Sequence, residues 1–407
     1  MTARILVLGA GFAGLWSAAG AARALDEFRI GRDAVQVTVV NRDQWHAIRV
    51  RNYEPDLSAV RVALDEVLEP IGVERVAGQV VGIDFDSRQV TYSAANANRS
   101  LSYDRLVFAL GSRIVRPDIP GLGEFAFDVD TYDGAARLNT HIRSLSAQPH
   151  SPGQYTALVI GAGLTGIEAA TELLGKLRSA GAAAPRVILA DHQPRIGSDM
   201  GDGACHVIDE ALASLGVATR TGVAVSAIDR SGAMLSTGEK IPAATVVWCA
   251  GMRANPLTEL FPVRRDRFGR VAVDHFMRVD GMANTFAAGD AAHAIVDDRH
   301  NSVMSCQHAR PMGRFAGYNV VCDFVGKPML PLRIDWYTTI LDLGPWGAVY
   351  TEGWDRRVVA TGAAAKRTKQ LINCERIYPP RSGDRRQILD AAAPIVQKPP
   401  PQFQTPE

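Results

Sequence analysis

Ile5-Leu6-Val7-Leu8-Gly9-Ala10-Gly11-Phe12-Ala13-Gly14-Leu15-Trp16 opens the chain with four apolar residues, three glycines at fixed spacing and the start of an alanine-rich run. The apolar run reads as a buried strand, residues 15–28 as a helix and residues 35–40 as a second strand ending at Asn41. The same succession begins again at Val159-Ile160-Gly161-Ala162-Gly163-Leu164-Thr165-Gly166. There the strand covers 157–160, the helix 166–179 and the second strand 187–190, ending at Asp191. Between a strand and a helix, the first glycine permits a tight turn. The second lets the backbone approach a pyrophosphate, and the third lets the helix pack against the strand. The helix N-terminus then presents free N–H groups and a partial positive charge. One such turn is a weak signal. Two, each followed by a strand ending in a polar residue, predict two dinucleotides on two domains, the layout of an enzyme that passes electrons between them.

Composition narrows the class. The chain has 407 residues, 47% hydrophobic and 21% charged, with a net charge of +1. That suits a soluble globular protein of two or three domains and argues against a broad nucleic-acid surface. The cysteines, at 205, 249, 306, 322 and 374, are odd in number and show neither CxxC nor zinc-site spacing. A reducing cytoplasm is expected, and no metal-ligand cluster is visible. The apolar run after Arg4 has the look of a signal peptide, but it carries the three glycines of a nucleotide turn. No other apolar stretch approaches the roughly 18 residues of a membrane span.

Between the two units the spacing predicts a short helix near 63–68, strand-rich sequence over 74–92, and a strand at 106–111 running into a turn. A linking helix is expected over 133–146, a helix over 203–215, antiparallel strands up to 246–251, and a helix over 305–325. Ala109-Leu110-Gly111 and Ala287-Ala288-Gly289-Asp290 each end a strand in small residues where the backbone can pass close to a cofactor. Asp290 is placed to bond a sugar-like chain. A carboxylate at Asp191 favours ribose hydroxyls over a 2′-phosphate, hence NADH over NADPH. His192 and Arg195, just beyond, partly offset that preference. In the first unit the matching position is Asn41, an amide that also binds hydroxyls.

Taken together, these segments resemble the two-dinucleotide-binding-domain flavoproteins, the pyridine nucleotide–disulfide oxidoreductase superfamily, over residues 3–325. The resemblance implies an α/β fold with two Rossmann-like domains. Residues 1–130 and 282–326 would form a FAD-binding domain, and 131–281 an inserted NAD(P)H-binding domain. Residues 327–395 would form a short α+β C-terminal region, and 396–407 a disordered proline-rich tail. Gly9, Gly11, Phe12, Ala13, Gly14, Asn41, Arg42, Arg49, Val80, Ala109, Gly111, Gly289 and Asp290 are then expected at FAD. Gly161, Gly163, Leu164, Thr165, Gly166, Asp191 and Gly251 are expected at the nicotinamide nucleotide.

Val159 to Leu173 is similar to the type II NADH dehydrogenases and the ferroptosis-suppressor-like and apoptosis-inducing-factor-like quinone reductases. In that branch the glutamate matching Glu168 lies near nicotinamide and flavin and orients the dinucleotide or relays protons. The bland reading of Glu168 is a helix residue in a local ion pair. With no cysteine before Cys205, the early redox disulfide of the disulfide reductases is excluded. Cys306 opens the helix that points toward the flavin ring, where a helix N-terminus lowers a thiol pKa.

Type II dehydrogenases line their quinone site with two glutamines four residues apart. Here the first is Gln307 and the second position is Pro311, and His308 reads either as a proton donor to a reduced acceptor or as a satisfied or surface histidine. The dehydrogenases end in an amphipathic membrane-binding region. Here Trp336 and Tyr337 resemble its start, but no clear amphipathic helix follows, and Lys366-Arg367-Thr368-Lys369 reads as a solvated face. A cytoplasmic enzyme is expected, at most weakly peripheral to the inner face of the membrane, as monomer or homodimer. The leading expectation is a FAD-dependent NADH dehydrogenase with a quinone-like acceptor. The alternatives are another acceptor (a redox protein, an aromatic electrophile or oxygen) or an NADH-responsive flavin-containing binding protein.

Overall fold

The computed structural model describes residues 2–403. Its first unit is β1 (Ala3–Leu8), α1 (Phe12–Glu27) and β2 (Val35–Asn41). The two strands pair in parallel, Ile5 opposite Val37 and Leu8 opposite Val40. Arg105–Phe108 and Thr285–Ala287 extend the sheet beyond β1, and Glu74–Ala77 beyond β2, all parallel. Ile5, Leu6, Val7 and Leu8 are all fully buried. A parallel sheet covered on both faces needs such a continuous apolar run rather than an alternating one.

The second unit repeats this with β3 (Thr156–Ile160), α2 (Leu164–Ser179) and β4 (Arg186–Ala190). Thr245–Trp248 and Ala126–Phe127 flank β3, and Val217–Arg220 flanks β4, again in parallel. Each sheet carries an antiparallel meander, Gln79–Ser102 in the first unit and Val225–Pro242 in the second.

The inserted domain is shorter than expected. Ala126–Phe127 already belongs to the second sheet. At the other end, Phe261, Val271, Val273, Met277 and Val279 pack into the core of the first unit. The division therefore lies near 126 and 250, where the hydrophobic cores part, and not at 131 and 281.

The long helix α3 (Cys306–Phe324) packs against α1 with almost no side chains between the backbones. A Cβ on Gly313 would lie 2.3 Å from the Ala13 carbonyl oxygen, and one on Gly317 would lie 1.9 Å from that of Ser17. Gly20 of α1 meets the Arg314 carbonyl in the same way, at 2.7 Å.

The C-terminal region is a three-stranded antiparallel sheet (Thr338–Asp342, Ala348–Glu352, Arg357–Thr361) followed by α4 (Gly362–Leu371) and a π-helical turn, Ile372–Arg376. It joins both cores: Leu341, Leu343 and Val349 enter the second, and Ile377, Ile388 and Leu389 the first. The proline-rich tail is not disordered where it is described. Trp336 Nε1–H donates to the Gln397 carbonyl at 3.0 Å, Tyr350 hydroxyl to that of Pro400 at 3.2 Å, and Thr368 hydroxyl to that of Pro401 at 3.1 Å. Residues 404–407, the end of the expected disordered tail, lie outside the described residues.

Candidate active site

A single cavity of about 1490 Å³ runs between the two sheets and under the C-terminal region. It exceeds the roughly 300–1,000 Å³ of a site for one small molecule. Both glycine turns line it. Gly9 and Gly161 have φ of +90° and +99° and pass 2.7 Å (measured from a Cβ built there) from the backbone of Ala109 and Ala250. Only glycine tolerates that turn and that approach. On Gly14 and Gly166 a Cβ would sit 1.9 and 1.7 Å from the carbonyl oxygens of Gly9 and Gly161. These two lock helix to strand and do not line the cavity. Gly11 and Gly163 differ, because a Cβ there would meet nothing within 4 Å. Each faces open cavity at the N-terminus of its helix, a cradle suited to a pyrophosphate.

The residues ending β2 and following β4 brace these turns. Asn41 Oδ1 accepts the Ala10 N–H at 3.0 Å, and Asp191 Oδ2 accepts the Ala162 N–H at 2.5 Å. Asp191 Oδ1 takes the Gln193 N–H at 2.7 Å. The carboxylate expected from sequence to bind ribose holds the turn it faces. His192 lies exposed beside it, whereas Arg195 is drawn away to Asp202 at 2.6 Å.

In the first domain, Ala109 and Gly111 (φ +66°) line the cavity with Phe12, Ala13, Arg42, Arg49 and Val80. Gly289 presses on Ala13, and Asp290 beyond it accepts the Ser112 hydroxyl at 2.6 Å. Arg49 pairs with Asp130, reaches Ser112 Oγ at 2.9 Å and lies 3.8 Å from Asp290. This polar floor suits a polyhydroxylated chain.

Glu168, on the second turn of α2, is buried and lines the same cavity. Its Oε1 accepts Lys369 Nζ from α4 at 2.7 Å and the Asp342 N–H at 3.2 Å. Burial pushes its carboxyl above the usual carboxylate range. Burial also opposes the Lys369 ammonium, but Glu168 and Asp342 outweigh it and hold that group above its ordinary value. Asp342 in turn accepts Lys366 Nζ at 2.5 Å and the Tyr53 hydroxyl at 3.2 Å. Glu168 is therefore not in a local ion pair. Its partner comes from 201 residues away. The stretch Lys366–Lys369, read as a solvated face, sends both lysines inward. Ala364, Ala365, Thr368 and Lys369 form one buried face of α4, a small-residue signal that lay in the sequence.

With this geometry in view, the sequence model of the pyridine nucleotide-disulphide oxidoreductases matches residues 3–313. The chain belongs to that family. It is 57% identical over 398 residues to an NADH dehydrogenase-like protein of Mycobacterium tuberculosis (strain H37Rv), covering 97% of this chain and 99% of the relative. It is 25% identical over 375 residues to the demethylphylloquinone reductase of a Synechocystis species, covering 91% of each. The fold is that of NDH2 from Plasmodium falciparum solved in complex with RYL-552, with a TM-score of 0.78 at 13% identity over 96% of this chain and 98% of the other. The protein is an NADH dehydrogenase-like oxidoreductase related to the type II NADH:quinone oxidoreductases.

The first turns of α3 carry the residues expected on the acceptor side. Gln307 lines the cavity; its Oε1 accepts the Thr338 hydroxyl at 3.4 Å, and its Nε2 is buried without a partner. Pro311, one turn on, has no N–H for the Gln307 carbonyl. His308 does not line the cavity, which corrects its expected role as a proton donor to the acceptor. Its Nδ1 accepts the Val303 N–H at 2.9 Å, its ring packs edge-on to Tyr337 and Trp354, and burial lowers its pKa to about 4. Cys306 lines the cavity, but burial raises its thiol pKa, and the lowering expected from the helix N-terminus does not prevail.

Sequence reasoning also missed Arg310 and Arg314, buried on α3, and Arg376, all lining the cavity. Trp336 and Tyr337 line it as expected, Tyr337 stacked on Trp354 at 4.4 Å. Among the described residues no helix is long and apolar enough to cross a membrane.

Proposed function

We propose that the protein is a FAD-dependent NADH dehydrogenase that reduces a quinone-like acceptor without a redox disulfide. Two glycine turns, each with its second glycine open to one shared cavity, carry this reading. Gly11, Asn41, Arg49, Gly111 and Asp290 would hold FAD, and Gly163, Asp191 and Gly251 would hold NADH. When bound, the two cofactors supply hydride transfer and two-electron chemistry, and the protein contributes placement and electrostatics.

The chain's own residues do three things. The turns and helix N-termini face the phosphates. Asp191 favours NADH by repelling a 2′-phosphate, and Arg195, a cation four residues on, is engaged with Asp202. Lys369 Nζ, donating to Glu168 Oε1, keeps a proton in the wall of the cavity that a reduced acceptor would enter. The names of the relatives support the donor and, through the demethylphylloquinone and type II NADH:quinone enzymes, a quinone acceptor.

The test is spectroscopic. Purified protein is expected to be yellow, to bleach with NADH under anaerobic conditions, and to regain colour on adding a naphthoquinone faster than with oxygen. Absence of flavin ends the reading. Bleaching without quinone reoxidation leaves a reductase of another acceptor or an NADH-responsive binding protein.

A further inference from the structure

Arg310 and Arg314 are 7% and 2% exposed, and both line the cavity. Each guanidinium offers five N–H donors. Among the described residues, neither makes a hydrogen bond or an ion pair, and the Nε of each is buried without a partner. Both lie over Trp16 of α1, whose ring is 5.5 Å from Arg310 Cζ and 4.3 Å from Arg314 Cζ. A desolvated cation–π contact contributes about 2 kcal/mol or somewhat more, and it neutralises no charge. Buried guanidiniums without a counter-ion are costly, and folded proteins pair them.

The charged groups near Arg310 make the imbalance worse. Burial disfavours the charge on both guanidiniums, and like charge adds to it: Arg376 acts on Arg310, and Arg310 on Arg314. Arg376 itself donates to the carbonyls of Lys398 and Pro399, which carry no net charge. Among the described residues, no acid is paired to Arg310, Arg314 or Arg376, all three of which line the cavity. Arg310 follows Gln307 by three residues, so both lie on one face of α3. The orphaned Gln307 Nε2 and the guanidiniums therefore open on the same space.

We infer that this end of the cavity binds an aromatic acceptor carrying an anionic substituent, a carboxylate, sulfonate or ionised hydroxyl. The anion meets Arg310 and Arg314, and a ring carbonyl meets Gln307. This rests on the acceptor reading above and narrows it: Pro311 removes the second neutral amide, and the recognition passes to charge.

The test uses a redox-inert pair that differs only in charge. Flavin-loaded, oxidised protein saturated with NAD+ is titrated calorimetrically with 2-naphthoate and with 2-naphthamide. The expected result is that the carboxylate binds at least tenfold more tightly. In Arg310→Gln/Arg314→Gln the ratio falls to near one, while the flavin-to-protein ratio stays that of wild type. In turnover, the kcat/KM ratio of 1,4-naphthoquinone-2-sulfonate to 1,4-naphthoquinone falls at least tenfold in the same variant. Equal affinities, or no binding of either compound, in the wild type overturn the inference, and that comparison needs no variant to fold. Loss of flavin from the variant also overturns it, because the arginines then serve the FAD diphosphate. None of the titrations uses NADH, so a failure of NADH to bleach the flavin is a separate result that bears on the dehydrogenase reading alone.

Discussion

At the residue scale, Asp191 combines two duties that one substitution separates. Asparagine in its place keeps an oxygen for the Ala162 N–H but removes the charge that repels a 2′-phosphate. Asp191→Asn is expected to reduce the NADH-over-NADPH preference in kcat/KM about tenfold, roughly 1.4 kcal/mol, with flavin content unchanged. Steady-state kinetics with both nucleotides check this. Lys369 is the complementary case. Removing it strands Glu168 in a buried site, and Lys369→Met is expected to destabilise the protein by about 3–5 kcal/mol. The double variant Glu168→Gln/Lys369→Met should lose less than the sum of the two single variants, measured by denaturant midpoints. Glycine spacing made the Asp191 position legible in the sequence. Lys369 was not legible, because nothing local links it to Glu168. The pair exists only because α4 folds over α2.

At the element scale, the packing of α1 on α3 depends on glycines that sequence spacing does not announce. Gly317→Ala places a methyl 1.9 Å from the Ser17 carbonyl, a backbone atom that cannot rotate away. A loss of about 1–3 kcal/mol or more is expected from overpacking. Gly175, on the exposed face of α2, meets nothing within 4 Å. Gly175→Ala should therefore stabilise by about 0.5–1 kcal/mol through helix propensity alone. Urea unfolding of the two variants side by side distinguishes packing from propensity. Both βαβ units were readable because a buried parallel strand and an alanine-rich helix carry their pattern within about 30 residues. α4 was misread because two lysines in a short basic run look solvated until a carboxylate is brought to them.

At the scale of the whole molecule, the last described residues close the cavity. Gln397 and Pro400 line it, and the tail is held by Trp336, Tyr350, Thr368 and Arg376. A chain ending at Ile395 is expected to melt earlier and, after reduction, to reoxidise faster in air. Differential scanning calorimetry and stopped-flow absorbance read the two effects. Stability should also depend on pH through His46 and His308, both lowered by burial to about 4. Between pH 6.5 and 4 the unfolded chain binds protons that these folded histidines refuse, so stability falls as pH drops through that window. Each contributes up to about 3 kcal/mol, and His308→Gln should flatten the slope of unfolding free energy against pH.

Local sequence by itself determined the two nucleotide turns, the strands and helices around them, and the absence of an early redox cysteine. Those features are set by short-range sterics: a backbone that must turn, approach a phosphate and admit a helix leaves only glycine at three positions. Tertiary structure alone decided which buried charges meet. Glu168 with Lys369, Arg49 with Asp130 and Asp290, and Arg310 with Arg314 over Trp16 are each assembled from segments far apart in the chain or turned to a face that spacing does not reveal. Their energetics depend on burial, which is a property of the packed molecule and of no single segment.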